Sequence, residues 1–352
     1  MPYALCPMPF TGGIKIFPLR IARYIVRIEN ILVILLALSV CISEPLSRNI
    51  IRIIFVMVAV KFFIGRDNSF DLIKRYKNFL LPISAFAWWM IISSIYGGKL
   101  ISDSNSLVYW FFFSHNMILF IPLITMIRQK VLYEKIFIAL GISILIEDFF
   151  IFYQKFSAYP IPITFLNNSP LQNSILYIIL LPTFFILTVN ELNLRKKIFF
   201  GTTFFISLLS FLFLYAPFAL AEEFFKSQQI IWGASFEIVK NYPIMGVGLG
   251  NFNAELIKVL PEIQNFNVHH AFNTYLQFWA ETGIFGLLLF CGIFGAILIW
   301  AKRRSENVYG RILFFSTLAL MIYSFTDFIF ESYSSMRVYW FLFGICVASL
   351  HR

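Results

Sequence analysis

Charge is scarce in this chain. Asp, Glu, Lys and Arg make up only 13% of its 352 residues, against about 25% in a soluble domain. Apolar residues make up 59%, and the mean hydropathy is +0.79. Packing in water cannot hide so much apolar surface, which excludes a soluble fold. The expected class is all-α, a polytopic integral membrane protein. Cysteine is also scarce: Cys6, Cys41, Cys291 and Cys346 are scattered, with no CxxC spacing, so neither a disulfide framework nor a zinc site is expected. The chain has only 4 histidines, and there is no internal repeat and no low-complexity segment beyond an excess of phenylalanine. The 44 Phe read as lipid-facing bulk.

What charge exists is patterned. The net charge of +10 would suggest nucleic acid in a soluble protein. Here the excess of Lys and Arg in cytoplasmic loops explains it better, and no nucleic acid is expected. Apolar runs near 28–45, 49–64, 79–97, 107–127, 136–153, 174–189, 198–220, 284–300, 312–330 and 338–350 give about 10 transmembrane helices. With both termini in the cytoplasm, 20 of the 28 Lys and Arg fall on the inner side. Arg48, Arg52, Lys99, Lys155, Lys226, Lys240, Lys258 and Arg337 fall on the outer side. Three regions follow: a membrane region over 1–220, one large extracytoplasmic loop over 221–271 and a second membrane region over 272–352. The first apolar run lacks a small-x-small cleavage site and reads as an uncleaved anchor.

The large loop is partly helical by its pattern: Ile230, Ile231, Ala234 and Ile238 recur at helical spacing, and Pro243 ends that helix. Gly246, Gly248 and Gly250 follow, a run that permits tight turns or close approach of backbone to a ligand. No strand precedes it, which counts against a dinucleotide site. A second outer loop, 155–173, is rich in Pro, Asn and Ser and could cover a site or simply connect.

The most informative stretch runs from His269 to Gly286. Wound as a helix, it puts His270, Asn273, Thr274, Gln277 and Glu281 on one stripe about 100° wide. A polar stripe at a membrane surface needs partners, either a second helix, a wet cavity or a bound head group. Glu281 stands about 16 Å from His270 along such a helix, too far to polarise it. Its expected roles are to order a loop cation or to cap a neighbouring helix. Glu147 and Asp148 fall near the outer end of the fifth run, and Asp327 and Glu331 near that of the ninth. They would line a cavity or sit in wet interface.

The order Trp232, then Pro243-Ile-Met-Gly246-Val-Gly248-Leu-Gly250-Asn251-Phe252, then His270-Ala-Phe-Asn273 through Glu281-Thr-Gly283-Ile-Phe-Gly286 resembles the O-antigen ligase and Wzy polymerase superfamily. The resemblance is strong from about Trp232 to Phe290. It implies a GT-C-like membrane glycosyltransferase in the bacterial inner membrane. Such an enzyme takes a glycan from undecaprenyl diphosphate and passes it to lipid A-core or to a second lipid-linked glycan. It implies no cofactor and no metal, in keeping with the absence of an Asp-x-Asp pair.

His270 becomes the expected catalytic residue, as the base that takes the acceptor's proton. Lys226, Gln228, Gly246, Gly248, Gly250, Lys258, His269, Asn273 and Arg337 become candidate substrate contacts. Trp232, Gln277, Glu281 and Asp327 are expected to support them. Two positions depart from the family pattern. Phe272 stands where the family places a His directly before the Asn, and Gln228 where it places an Arg. Two readings therefore stand beside a transferase: a relative that only binds lipid-linked glycan or a partner, and a polysaccharide flippase.

Overall fold

The computed structural model describes residues 19–65, 69–96, 116–127, 130–156, 170–219, 222–262, 268, 270–330 and 333–350. His269, His115, Lys99, Glu331, most of the 155–173 loop and the first part of the 107–127 run lie outside them.

Among the described residues the fold is entirely helical. The helices are α1 (Leu19–Ser39), α2 (Glu44–Gly65), α3 (Ser69–Tyr96), α4 (Phe120–Met126), α5 (Lys130–Phe156), α6 (Pro170–Asn190), α7 (Leu194–Ala219), α8 (Glu222–Asn241), α9 (Phe252–Val259), α10 (Thr274–Lys302), α11 (Val308–Tyr323) and α12 (Tyr333–Leu350). The segments 76–96, 132–153, 194–213 and 274–302 are long and apolar enough to cross a membrane. Shorter apolar helices cover 174–190, 308–323 and 335–350. This is an integral membrane protein.

The bundle is built around α12. Every residue from Ser335 to Ala348 is buried, as expected of a helix that is apolar all round. It packs against α4, α6 and α11. Phe343 meets Phe79 of α3 and Phe120 of α4 edge-on, at 5.3 and 5.1 Å. Around this centre α6 packs on α7 and α11, α1 on α5, and α3 on α10. Among the described residues many phenylalanines are core, not lipid-facing bulk: Phe86, Phe120, Phe137, Phe184, Phe200, Phe278, Phe290 and Phe294 are all buried. Aromatic edges and faces pack at offset angles, so rings can fill a core as well as meet lipid.

A second, smaller core lies between α8, α9 and the first turns of α10. Ile231, Ala234, Ile238, Val239, Val247, Phe252, Leu256, Ala271, Leu276 and Ala280 fill it. The spacing predicts a helix starting at Gln229, and the observed α8 begins earlier, at Glu222, and ends at Asn241 before Pro243.

α10 settles where that cap meets the bundle. It spans 29 residues, but Gly283 interrupts it with φ 69° and ψ −176°. The part from Ile284 to Lys302 is then roughly 28 Å long, close to the roughly 30 Å of a hydrocarbon core. The part from Thr274 to Thr282 carries the polar side chains.

Candidate functional site

The site is organised by the break in α10. A residue with those angles must be glycine, because a Cβ there meets backbone. At Gly283 the added carbon would stand 1.8 Å from the Ile244 carbonyl oxygen. The break frees backbone groups in an apolar setting, where each needs a partner. The glycine-run loop supplies them. Val247 N–H donates to Ala280 O (2.9 Å), Gly248 N–H to Glu281 O (2.8 Å), and Ile284 N–H to Pro243 O (3.0 Å). Helix α3 closes the other side. Trp89 Nε1 donates to Thr282 O at 2.7 Å, and Ser93 Oγ shares its proton between Met245 O (2.7 Å) and Glu281 O (2.9 Å).

The glycines thus dock the loop on α10. Gly246, Gly248 and Gly250 all have positive φ. A Cβ on Gly246 would stand 2.4 Å from the Glu281 carbonyl. The N–H of Gly246 goes to Tyr242 O and that of Asn251 to Gly248 O. Leu249 N–H goes to Ser94 Oγ (3.3 Å) and Gly250 N–H to Glu281 Oε1 (3.0 Å). With Val247 and Gly248 already on α10, every N–H from 246 to 251 is engaged within the protein. The expectation that these donors stand open for a ligand is corrected by this geometry. A loop that repairs a broken helix has no amide left for a phosphate.

Glu281 does cap a neighbouring helix. Its carboxylate accepts from Gly250 N–H, from Phe252 N–H at the first residue of α9, and from Gln277. A carboxylate at a helix N-terminus satisfies orphan donors and meets the positive end of the helix dipole. Gln277 Oε1 in turn accepts from Ala271 N–H at 2.8 Å. One buried chain of hydrogen bonds therefore links the His270 turn, α10 and the glycine loop.

His270 is not on the helical stripe, which corrects the helical reading of 270–273. Asn273 is the N-cap of α10: its Oδ1 accepts from Leu276 N–H at 3.0 Å, and its backbone is extended. Its Nδ2 donates to Phe325 O at 3.2 Å. Thr274 Oγ1 donates to Asp327 O at 2.7 Å, which ties the α11–α12 connection to the same point. Ahead of the cap, Phe272 has φ 48°. His270 is buried in the resulting turn; its ring lies 4.4 Å from that of Phe272, edge-on, and 6.0 Å from that of Phe328. Phe272 N–H donates to His270 Nδ1 at 3.3 Å.

Asn273 thus has a cap's work, and its removal has a measurable signature. Asn273→Ala loses the cap and the Phe325 bond and should destabilise the protein by about 2 kcal/mol. Asn273→Asp keeps the cap's acceptor and should lose less than half of that. Thermal unfolding of detergent-extracted protein decides, and equal losses for Ala and Asp would contradict the cap role.

The remaining candidates stand in different surroundings. Gln228 is buried on α8 and reaches Thr326 O at 3.3 Å. Trp232, one turn on, packs against the small core, and its buried indole N–H has no acceptor among the described residues. Lys226 is exposed on α8. Lys258 pairs with Glu255 at 2.7 Å, and that carboxylate raises the pKa of the ammonium above its ordinary range. Arg337 is fully buried in α12, with Nη1 donating to Ser47 Oγ of α2 at 2.7 Å. The three cations do not share one environment.

Asp327 accepts from Tyr323 OH at 3.3 Å and from Phe328 N–H at 2.8 Å. Glu147 and Asp148 are buried among helices, not in wet interface. Asp148 accepts from Tyr177 OH (2.7 Å) and Ser207 Oγ (2.9 Å).

Trp89, Ser93 and Ser94 carry no mark of this role in the sequence. Their only signal is a hydroxyl pair inside an apolar run, and nothing in the order of residues pairs it with a helix 190 positions on.

No curated protein matches the chain. Residues 163–291 match the family described as O-Antigen ligase. The matched region contains α8, the glycine loop, α9, the His270 turn and the break in α10. Over that region the chain is similar to the O-antigen ligase family.

Proposed function

We propose that this protein is a membrane glycosyltransferase that moves a glycan from undecaprenyl diphosphate to an acceptor in cell-surface polysaccharide synthesis. The acceptor is lipid A-core for a ligase or a second lipid-linked glycan for a polymerase. One observation carries the reading: the family match coincides with the segment that the helix break, the glycine loop and the Asn273 cap gather around His270. In this reading His270 touches the reacting groups. Asn273, Gln277, Glu281 and Trp232 hold its surroundings, Lys226 is an exposed cation on the same cap, and membrane lipid surrounds the bundle.

The two acceptors give different products. Purified protein given lipid-linked repeat units alone makes a ladder of chain lengths if it is a polymerase. A ligase leaves them unchanged until lipid A-core is added. A second reading, a relative that binds lipid-linked glycan without transferring it, is favoured by Gln228 standing where the resemblance places an arginine. Binding without any product from either acceptor would establish it.

Orientation belongs to the same proposal. The charge split supports a cap outside the inner membrane and both termini in the cytoplasm. In a cysteine-free background, an impermeant thiol reagent applied to intact cells with a permeabilised outer membrane should label cysteine at Glu262 and not at Glu306. Labelling at Glu306 alone would reverse the topology.

A further inference from the structure

We infer that the tip of the glycine loop, Tyr242 to Ile244, is seated in the bilayer, against lipid of the leaflet on the cap side. The loop is then a membrane anchor as well as the repair of a broken helix. The geometry carries this whether or not the protein transfers glycan.

α3 and α10 pack side by side, and each turns one apolar stripe outward. On α3 the exposed residues Leu81, Trp88, Ile92 and Ile95 recur at helical spacing. At 100° per residue they fall within a sector about 60° wide. No charged residue stands between Leu81 and Tyr96. On α10 the exposed stripe begins with Phe285 and Leu288. Both helices belong to segments long and apolar enough to cross a membrane, so these stripes meet lipid.

The loop tip continues that surface. Pro243 O accepts from Ile284 N–H, which sets the tip beside Phe285. Ile244 is 56% exposed and Phe285 49%. Charge stops at Lys240 and does not resume until Glu255.

Two observations fix the height. Ser93 Oγ donates to Met245 O, which puts the loop level with Ser93. Ile95 and Tyr96 lie beyond that level on α3 and are exposed, so the lipid that covers them reaches the loop. Trp and Tyr also gather where membrane meets water. Trp89 donates to Thr282 O and Trp279 to Pro243 O, and Trp88, Tyr96 and Tyr242 stand exposed near them.

The tip is also fit for lipid. Irregular backbone at membrane depth needs its polar groups met within the protein. Tyr242 N–H goes to Ile238 O, and Tyr242 O accepts from Gly246 N–H. Pro243 has no N–H, and its carbonyl accepts from both Ile284 N–H and Trp279. One consequence rests on the transferase reading. Thr274–Thr282 rises about 13 Å from the break, somewhat more than the roughly 5–8 Å of a headgroup layer. The His270 turn then stands at the outer margin of the headgroups, within reach of a glycan carried on an embedded lipid diphosphate.

A nitroxide on cysteine at Ile244, in a cysteine-free background and in lipid nanodiscs, tests the seating. Its collisions with oxygen, which concentrates in lipid, should exceed those with a water-soluble nickel chelate, as at Leu288. At Glu262 the order should reverse. A label at Ile244 that behaves like the one at Glu262 would overturn the proposal. Protection from both reagents would overturn it too, since protein, such as a second copy of this chain, would then cover the tip. The unaltered chain gives a second measurement. A phospholipid with a diazirine in its acyl chain should leave adducts on Ile244 as well as on Phe285 and Leu288. Adducts on the last two alone would contradict the seating. Neither readout depends on transfer, so an inactive protein would count against the transferase reading only.

Discussion

His270→Ala should lower transfer by at least about 10²-fold while the melting temperature stays within a few degrees of wild type. The first figure is the usual loss for a side chain that assists proton transfer at the reacting groups. The second follows from what the imidazole holds. Its removal takes away the bond from Phe272 N–H, a cost of about 1 kcal/mol. A change of that size shifts the midpoint by only about 2–4 °C in a protein of some 150–250 residues, and by no more in a longer chain. The rest of the turn is fastened elsewhere, by Gln277, Asn273 and Thr274. Initial rates from lipid-linked glycan, with unfolding curves on the same preparations, separate the two effects. A variant that transfers normally would remove His270 from the chemistry. One that unfolds early would make it a packing residue.

Gly283→Ala should act in the opposite way, on the fold first. The position needs φ 69° with ψ near 180°, which only glycine adopts readily. Strain there is about 1–3 kcal/mol, and overpacking against the Ile244 carbonyl adds a similar amount. The total, about 2–6 kcal/mol, exceeds what any one of the loop's hydrogen bonds contributes. The glycine loop should come away from α10, taking Glu281's cap of α9 with it. We expect protease cleavage in the Pro243–Asn251 loop and loss of transfer, with the helix content of the bundle retained. Gly292→Ala is the control, since a Cβ there meets nothing within 4 Å. Equal protease resistance in both variants would show that the break does not hold the loop.

Part of this architecture was legible in the sequence. Membrane embedding follows from apolar runs, and the family resemblance from the glycine run and the Asn273–Gly286 stretch. A polar stripe predicts that Thr274, Gln277 and Glu281 have partners, and they do. What the stripe cannot reveal is where the helix starts. At 100° per residue His270 lies in register with Gln277, but Asn273 caps the helix and the chain turns left-handed at Phe272. The glycines carried a similar ambiguity. Alternating glycine allows close approach to a phosphate or to another backbone, and only the fold shows that the neighbour is α10. The contribution of Trp89, Ser93 and Ser94 was invisible, because nothing local to α3 indicates a helix broken far away in the chain.

We propose that this site breaks the bond between a glycan and a lipid diphosphate and hands the glycan to an acceptor. The most direct measurement follows both products at once, with wild-type protein in lipid nanodiscs, doubly labelled lipid-linked glycan and an acceptor. The prediction is that undecaprenyl diphosphate appears in step with glycan on the acceptor, one for one, and that neither appears without acceptor. Release of the lipid diphosphate with no glycan on the acceptor would mean hydrolysis. Stable binding of the labelled lipid by folded protein, with neither product from either acceptor, would contradict the claim.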